Sequence, residues 1–277
     1  MDVQSKKEIA KGLFAEHIAV FCCPICGGKF TVTEAGVRCN GNHAFDLARK
    51  GYLNLFAGRQ STYYDKTLFT ARRDVFAAGV YDLLIEEIAS LIKELVDSAP
   101  LVLDAGCGEG SLLARIHPLI PRAGLVGVDI SRDGIRLATV HSEPIMWCVA
   151  DLARLPLCSG SLDVIVNVLA PANYNEFQRV LKPGGAVIKV LPGPGYLQEI
   201  RERLEGSAAY SNEDVAAKFA ENLKVGRRFQ LSYEVGVNGA LWEALIKMTP
   251  LSSRREISGP RPGKITVDLE IIQGSWT

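Results

Sequence analysis

Four metal donors crowd the front of the chain. Cys23 and Cys26 are separated by two residues, twelve more intervene, and then Cys39 and His43 are separated by three. Zinc takes thiolate sulfur and imidazole nitrogen in a tetrahedron, and donors paired on tight turns reach it from two sides. Pro24 restrains one turn, Gly27 and Gly28 permit positive φ there, and Gly41 serves the second turn. Cys22 is an alternative to Cys23, and the spacing to Cys26 favours Cys23. Four protein ligands leave no open position, so the expected Zn2+ is structural, a staple that so small a module needs in order to fold.

A second group of residues follows a short apolar run. "LVLDAGCGEG" (Leu101–Gly110) reads as a buried strand that ends in Asp104 and opens into Gly106, Gly108 and Gly110 before a helix. Two acids flank this loop, Asp104 and Glu109. They would repel a pyrophosphate, and they suit the ammonium and sulfonium charges of S-adenosylmethionine. Asp129 ends the next strand, where a carboxylate can accept both ribose hydroxyls. Asp151 follows the third, where one can take the adenine amino group.

The elements that must hold these residues are legible from rhythm. Beyond Pro100, branched apolar runs alternate with helical stretches through "GGAVIKVLP", which predicts an α/β, Rossmann-like doubly wound parallel sheet. "FQLSYEVGV" and "KITVDLEII" alternate in period 2 and are expected to close the sheet edge as an antiparallel pair, with "ALWEALIKM" as a helix between. Gly79 is expected to split the helical stretch after residue 66 in two. The expected divisions are an N-terminal extension (1–21), a zinc-ribbon-like small domain (22–56), a linker with helices (57–98) and the S-adenosylmethionine-binding domain (99–277).

Composition narrows the classes. Hydrophobic residues make up 48% and charged residues 22%, enough for a sizeable core and against global disorder. Lys+Arg and Asp+Glu balance at 31 each, so no broad basic field announces a nucleic-acid binder. No apolar run is long enough to span a bilayer, the N-terminus lacks the pattern of a secretory signal, and the clustered cysteines suit reducing cytoplasm.

Taken in order, "CPIC…CNGNHAFDLARKGYLNL", "ARRDVFAAGVY", "LDAGCGEG" and "LPGPGYL" resemble the 23S ribosomal RNA (guanine-N1)-methyltransferases, zinc-containing class I S-adenosylmethionine-dependent enzymes, over nearly the whole chain. The resemblance implies methyl transfer to N1 of a hairpin-loop guanine in 23S ribosomal RNA, with a link to macrolide sensitivity in some relatives and a homodimer. It places Cys23, Cys26, Cys39 and His43 as zinc ligands, and Gly108, Glu109 and Tyr81 as cofactor contacts. Tyr196 stands where the family pattern has a histidine that contacts the cofactor.

Around the metal motif, Lys29, Arg38, Arg49, Lys50, Arg59, Lys66, Arg72 and Arg73 outnumber the acids, and Phe30, Phe45, Tyr52, Phe56, Tyr63 and Tyr64 are interleaved. Such a mixture can hold phosphates and stack on unpaired bases. It can equally be a small core under a solvated face, the reading favoured for Phe45 and Tyr52. For catalysis, "NVLAPAN" should line the target pocket with Asn167, Ala170 and Pro171. Asn167 is placed either to bond the guanine edge or to act as a strand-end structural amide, and Asp65 to approach the cleft from the linker; neither spacing names a general base. Two rivals stand beside this reading. One is a small-molecule methyltransferase whose zinc lobe is a lid or dimer contact. The other is a non-catalytic zinc module, against which the intact acid and glycine set argues.

Overall fold

Ser5 opens helix α1 (Lys6–Glu16) with a capping box: its hydroxyl accepts from Glu8 N while the Glu8 carboxylate accepts from Ser5 N. The helix buries Ala10 and Phe14, and Phe14 meets Phe21 edge-on at 5.3 Å. Phe21 then bridges to Leu157, and Lys6 Nζ donates to Thr139 O. The N-terminal extension is thereby fastened to elements far along the chain. The computed structural model describes residues 5–56, 58, 66–204, 211–249, 257 and 259–276.

Three short strands follow, β1 (Phe30–Val32), β2 (Gly36–Cys39) and β3 (Ala44–Asp46), paired antiparallel in that order. Phe30 and Phe45 pack edge to face at 5.7 Å inside this small sheet. The next strand, β4 (Tyr52–Asn54), leaves it and runs parallel to a strand of the large sheet, Tyr52 opposite Trp147 and Asn54 opposite Val149. The zinc lobe and the large sheet are thus joined through β4.

Helices α2 (Lys66–Ala77) and α3 (Asp82–Leu95) come next, separated where Gly79 adopts a φ of 79°. In α3, Leu84, Ile85, Ile88, Leu91 and Ile92 recur at helical spacing and are buried. The alternating region then gives β5 (Leu101–Ala105), α4 (Ser111–Ile116), β6 (Gly124–Asp129), α5 (Arg132–Ala138), β7 (Ile145–Val149), β8 (Leu162–Val168), α6 (Tyr174–Val180) and β9 (Leu181–Pro192). After α7 (Gln198–Arg201) and α8 (Glu213–Asn222), strands β10 (Lys224–Gly236) and β11 (Lys264–Ser275) pair antiparallel around α9 (Gly239–Met248).

The eight-stranded order is β10-β11-β9-β8-β5-β6-β7-β4. Strands β5 and β7 are buried at every residue, as central parallel strands must be. Both faces are filled. Val102, Val164, Val166 and Ile188 pack toward α3 and α4, while Leu103, Ile165 and Val187 pack toward Phe14, Phe177 and the lobe's Phe30. Because the chain winds outward from β5 in both directions, the crevice between the carboxyl ends of β5 and β8 is the switch point where ligands of such sheets bind.

Candidate functional site

In the small lobe, one turn delivers Cys23 and Cys26 and another delivers Cys39 and His43, and the four donor atoms lie within 4.8 Å of one another. Cys26 Sγ and Cys39 Sγ are 3.6 Å apart, Cys23 Sγ and His43 Nδ1 3.6 Å, and Cys39 Sγ and His43 Nδ1 3.4 Å. Zinc–sulfur bonds of about 2.3 Å in a tetrahedron put sulfurs about 3.7 Å apart, so the donor set fits zinc in both chemistry and spacing. Cys22 is not in this group. Its backbone N donates to Pro156 O, and burial beside Cys158 pushes its thiol up to about 11.

At the switch point, β5 delivers Asp104 and then the glycine loop. Gly106 has a φ of 90°, and a Cβ there would come within 2.7 Å of the Ala170 methyl, so the loop and the "NVLAPAN" segment touch. Gly110 caps α4, and a Cβ on it would run into the Trp147 ring. Asp129 clasps the loop from β6: its Oδ2 accepts from Gly108 N at 2.8 Å and its Oδ1 from Ser131 N at 2.7 Å. Asp151 lies past β7, its Oδ1 accepting from Ala153 N.

Asp104 is only 2% exposed, and its Oδ2 has no hydrogen-bond partner. Burial, with the nearby Asp129 and Glu109 charges adding to it, pushes its carboxyl up to about 8. An orphaned buried acid beside a glycine loop fits a cationic ligand group, as the amino-acid end of S-adenosylmethionine carries. Glu109, also buried, is engaged locally: its carboxylate accepts from Ser111 N and Ser111 Oγ and lies 3.8 Å from His141 Nε2. Tyr81 and Tyr196 meet hydroxyl to hydroxyl at 2.6 Å. Burial raises both phenols; in Tyr196 the bond to Tyr81 and the Arg72 charge pull the other way.

Arg72 and Lys189 gain positions here that sequence reasoning missed. Arg72 entered only as one basic residue among many. In the fold, α2 lays Phe69 and Arg72 over the glycine loop, with Arg72 Nη1 3.8 Å from where a Cβ on Gly108 would sit. Its charge acts on Asp129, Tyr81 and Tyr196 alike, and it complements the acids as a partner for a carboxylate. The signal available was its place in "ARRDVFAAGVY", nine residues before Tyr81.

Lys189 is 2% exposed, in mid-β9, with Nζ donating to Asn167 Oδ1 and to Ala170 O. Burial draws its ammonium down to about 8. Asn167 is fully buried and donates through Nδ2 to Ala105 O and Pro171 O. Both its amide ends are therefore engaged in holding the 167–171 segment, the arrangement of a structural amide rather than of a group facing a guanine. Cys107 and Cys148 are buried, with thiols raised by burial, and pack in the core. Asp65 lies outside the described residues, as do Arg59, Tyr63 and Tyr64. Tyr52 is buried against the sheet rather than presented for stacking.

A family model described as "RlmA, N-terminal" matches residues 21–60, and one described as "Methyltransferase domain" matches residues 102–185. YxjB of Bacillus subtilis, provisionally named a 23S rRNA (guanine-N1)-methyltransferase, is 35% identical over 92% of this chain and 97% of its own. The 23S rRNA (guanine(748)-N1)-methyltransferase of Streptomyces fradiae is 33% identical over 66% of each chain. Among solved structures, a SAM-dependent methyltransferase of Thermotoga maritima aligns over 77% of this chain and 100% of its own, at 15% identity and a TM-score of 0.47.

Proposed function

The chain belongs to the 23S rRNA (guanine-N1)-methyltransferases, enzymes that use S-adenosylmethionine and carry a structural zinc lobe, and we propose that it methylates N1 of a guanine in a hairpin loop of 23S ribosomal RNA. The observation that carries this reading is β4. Through it, the zinc lobe with its basic residues is built into the edge of the same sheet that carries the glycine cleft, so that an RNA-holding lobe and a methyl-transfer site belong to one body.

Bound in the cleft, S-adenosylmethionine supplies an electrophilic methyl group on a sulfonium. The chain's own residues do the rest. Asp104 and the Gly106–Gly110 loop receive the ammonium end, Arg72 the carboxylate, Asp129 the ribose hydroxyls and Asp151 the adenine amino group. Tyr81 and Tyr196, paired hydroxyl to hydroxyl, lie within reach of the Arg72 charge beside the loop. Lys189 and Asn167 hold Ala170 and Pro171 against the glycine loop, where the target base must sit for in-line attack at about 3 Å. The N1–methyl bond forms as the sulfur–methyl bond breaks, and the N1 proton passes to water or to a carboxylate. The base must leave its stack to reach this depth, which is least costly in a loop.

The family reading extends to a homodimer in the cytoplasm and to altered macrolide sensitivity; no described helix is long and apolar enough to cross a membrane. The test is transfer of a labelled methyl group to unmodified 23S ribosomal RNA, with mass mapping of the product. Label recovered as 1-methylguanine in a hairpin loop, and lost in Cys26→Ala and Asp129→Ala, is the expected result. No label on naked RNA or on ribosomal particles, with cofactor binding intact, would refute it.

A further inference from the structure

On the α5 side of β4, a cavity of about 400 Å3 is lined by Ala48, Arg49, Lys50, Tyr52, Arg132 and Arg136. That volume lies within the usual range for clefts that hold small ligands or parts of larger ones. Two elements build it. The turn before β4 contributes Arg49 and Lys50, both exposed and without an ion-pair partner among the described residues. Helix α5 contributes Arg132 and Arg136, one helical turn apart and so on one face. Among the described residues, Asp133 lies 4.0 Å from Arg136. Tyr52 supplies a polar floor, its hydroxyl accepting from Arg132 Nε at 3.4 Å.

Four cationic side chains line one cavity in a chain whose overall charge is zero. The wall chemistry selects the ligand. Guanidinium forks match phosphate oxygens, and Arg49 and Lys50 are held by no carboxylate among the described residues. Arg132 opens α5 just past Asp129, whereas Arg49 and Lys50 stand in the turn before β4, at the amino end of the β4–β7 pair, so the cavity runs down the α5 face of β4 away from the cofactor cleft. The opposite wall belongs to the zinc lobe.

We infer that this cavity is a phosphodiester site, formed jointly by the zinc lobe and α5, that grips the backbone of the substrate RNA at a distance from the target base. The inference rests on the RNA reading above and adds where the RNA is held. It also gives the zinc lobe a specific role, since the metal folds the module that carries Arg49 and Lys50 to their places across from α5. A strand of RNA lying in the cavity contacts both walls at once, so the grip exists only when the lobe is docked.

The test uses the full-length, zinc-loaded protein, 23S ribosomal RNA transcript and filter binding across a salt series. Arg49→Gln with Lys50→Gln empties one wall, and Arg132→Gln with Arg136→Gln the other; all four side chains are exposed, so the fold is spared. Lys218→Gln with Lys224→Gln removes the same charge at the far sheet edge. Each phosphate contact to single-stranded RNA contributes about 0.7 to the slope of log affinity against log salt, so each wall pair should flatten it by about 1.4 and weaken binding about tenfold near 0.15 M salt. The far-edge pair should change neither, and S-adenosylhomocysteine affinity, measured on every variant, reports the fold. Wall variants that bind RNA as wild type does, or a far-edge pair that loses as much, would overturn the site while leaving the RNA reading intact. Wild-type protein that binds S-adenosylhomocysteine but no RNA would overturn both.

Discussion

Asp104 should make cofactor binding a proton-releasing event. Its carboxyl is buried, carries an unpartnered oxygen and is pushed up to about 8. At about pH 7 a group of that pKa is about nine-tenths protonated. An ammonium arriving at hydrogen-bond distance favours the carboxylate and can lower the pKa by up to about three units, which would expel about 0.9 proton per ligand bound. Titration calorimetry with S-adenosylhomocysteine, in buffers of widely different ionisation enthalpy, reads this directly. The observed enthalpy plotted against buffer enthalpy should have a slope of about 0.9 proton at pH 7, falling to about 0.1 at pH 9. Affinity should rise with pH up to about 8 and then level off. Asp104→Asn should remove the slope and weaken binding. The sign for folding is the reverse. With its folded pKa raised from 3.8, Asp104 favours the fold at low pH and loses that contribution as pH climbs through about 8, so unliganded Asp104→Asn should melt above wild type at pH 8. An enthalpy independent of buffer in the wild type, or a slope unchanged in the variant, would refute the assignment.

Three further outcomes can be checked. Cys39→Ser should abolish the single bound zinc in metal analysis and lower the melting temperature, because metal binding to such a module is folding free energy; retention of full zinc occupancy would contradict the ligand set. Arg72→Ala should weaken S-adenosylhomocysteine by tenfold or more, the worth of a charged hydrogen bond of about 1.5–3 kcal/mol, while leaving 5′-methylthioadenosine, which lacks the carboxylate, within about twofold. Equal losses for the two ligands would exclude a carboxylate contact. Lys189→Met should leave Asn167 Oδ1 and Ala170 O unpaired at a cost of about 1–3 kcal/mol. Because burial lowers the lysine from 10.5 to about 8, the wild type's stability advantage over the variant should be largest above pH 10.5 and shrink as pH falls through about 8; an advantage that grows toward acid would be inconsistent with the buried ammonium.

Much of this molecule is written in local pattern. The C-x2-C and C-x3-H pairs sit on turns that their own glycines and proline shape, so the donors converge with little help from the rest of the chain. The run from Leu101 to Gly110 announces strand, loop and helix within ten residues, and Asp129 follows from the next strand's end. What escaped depends on distant partners. β4 is three residues long, and its partner strand begins at Ile145, so nothing near Tyr52 signals membership in the large sheet. Lys189 sits in an apolar strand, and its acceptors are supplied by residues around Asn167 on a neighbouring strand. Arg72 carries the same letter as its neighbour Arg73; only the way α2 lies over Gly108 separates them. The antiparallel pair was legible as a pair, but that β11 lies inside and β10 at the rim is decided by β11's buried, two-sided apolar pattern against β9.

The pairing of β4 with β7 also sets a timetable. The zinc lobe leaves the ribosome first and has its four ligands by residue 43, so it can close around metal early. Its outgoing strand then has only the local Leu47–Leu53 bridge until Ile145–Val149 has been made, roughly a hundred residues later, or about 5–20 s at typical synthesis rates. During that interval the β7-facing edge of β4 stays open, and its brevity limits the hazard, since three residues give a wrong partner little to hold. Lobe and sheet mature on separate clocks, and the enzyme's two halves become one object only when β7 arrives.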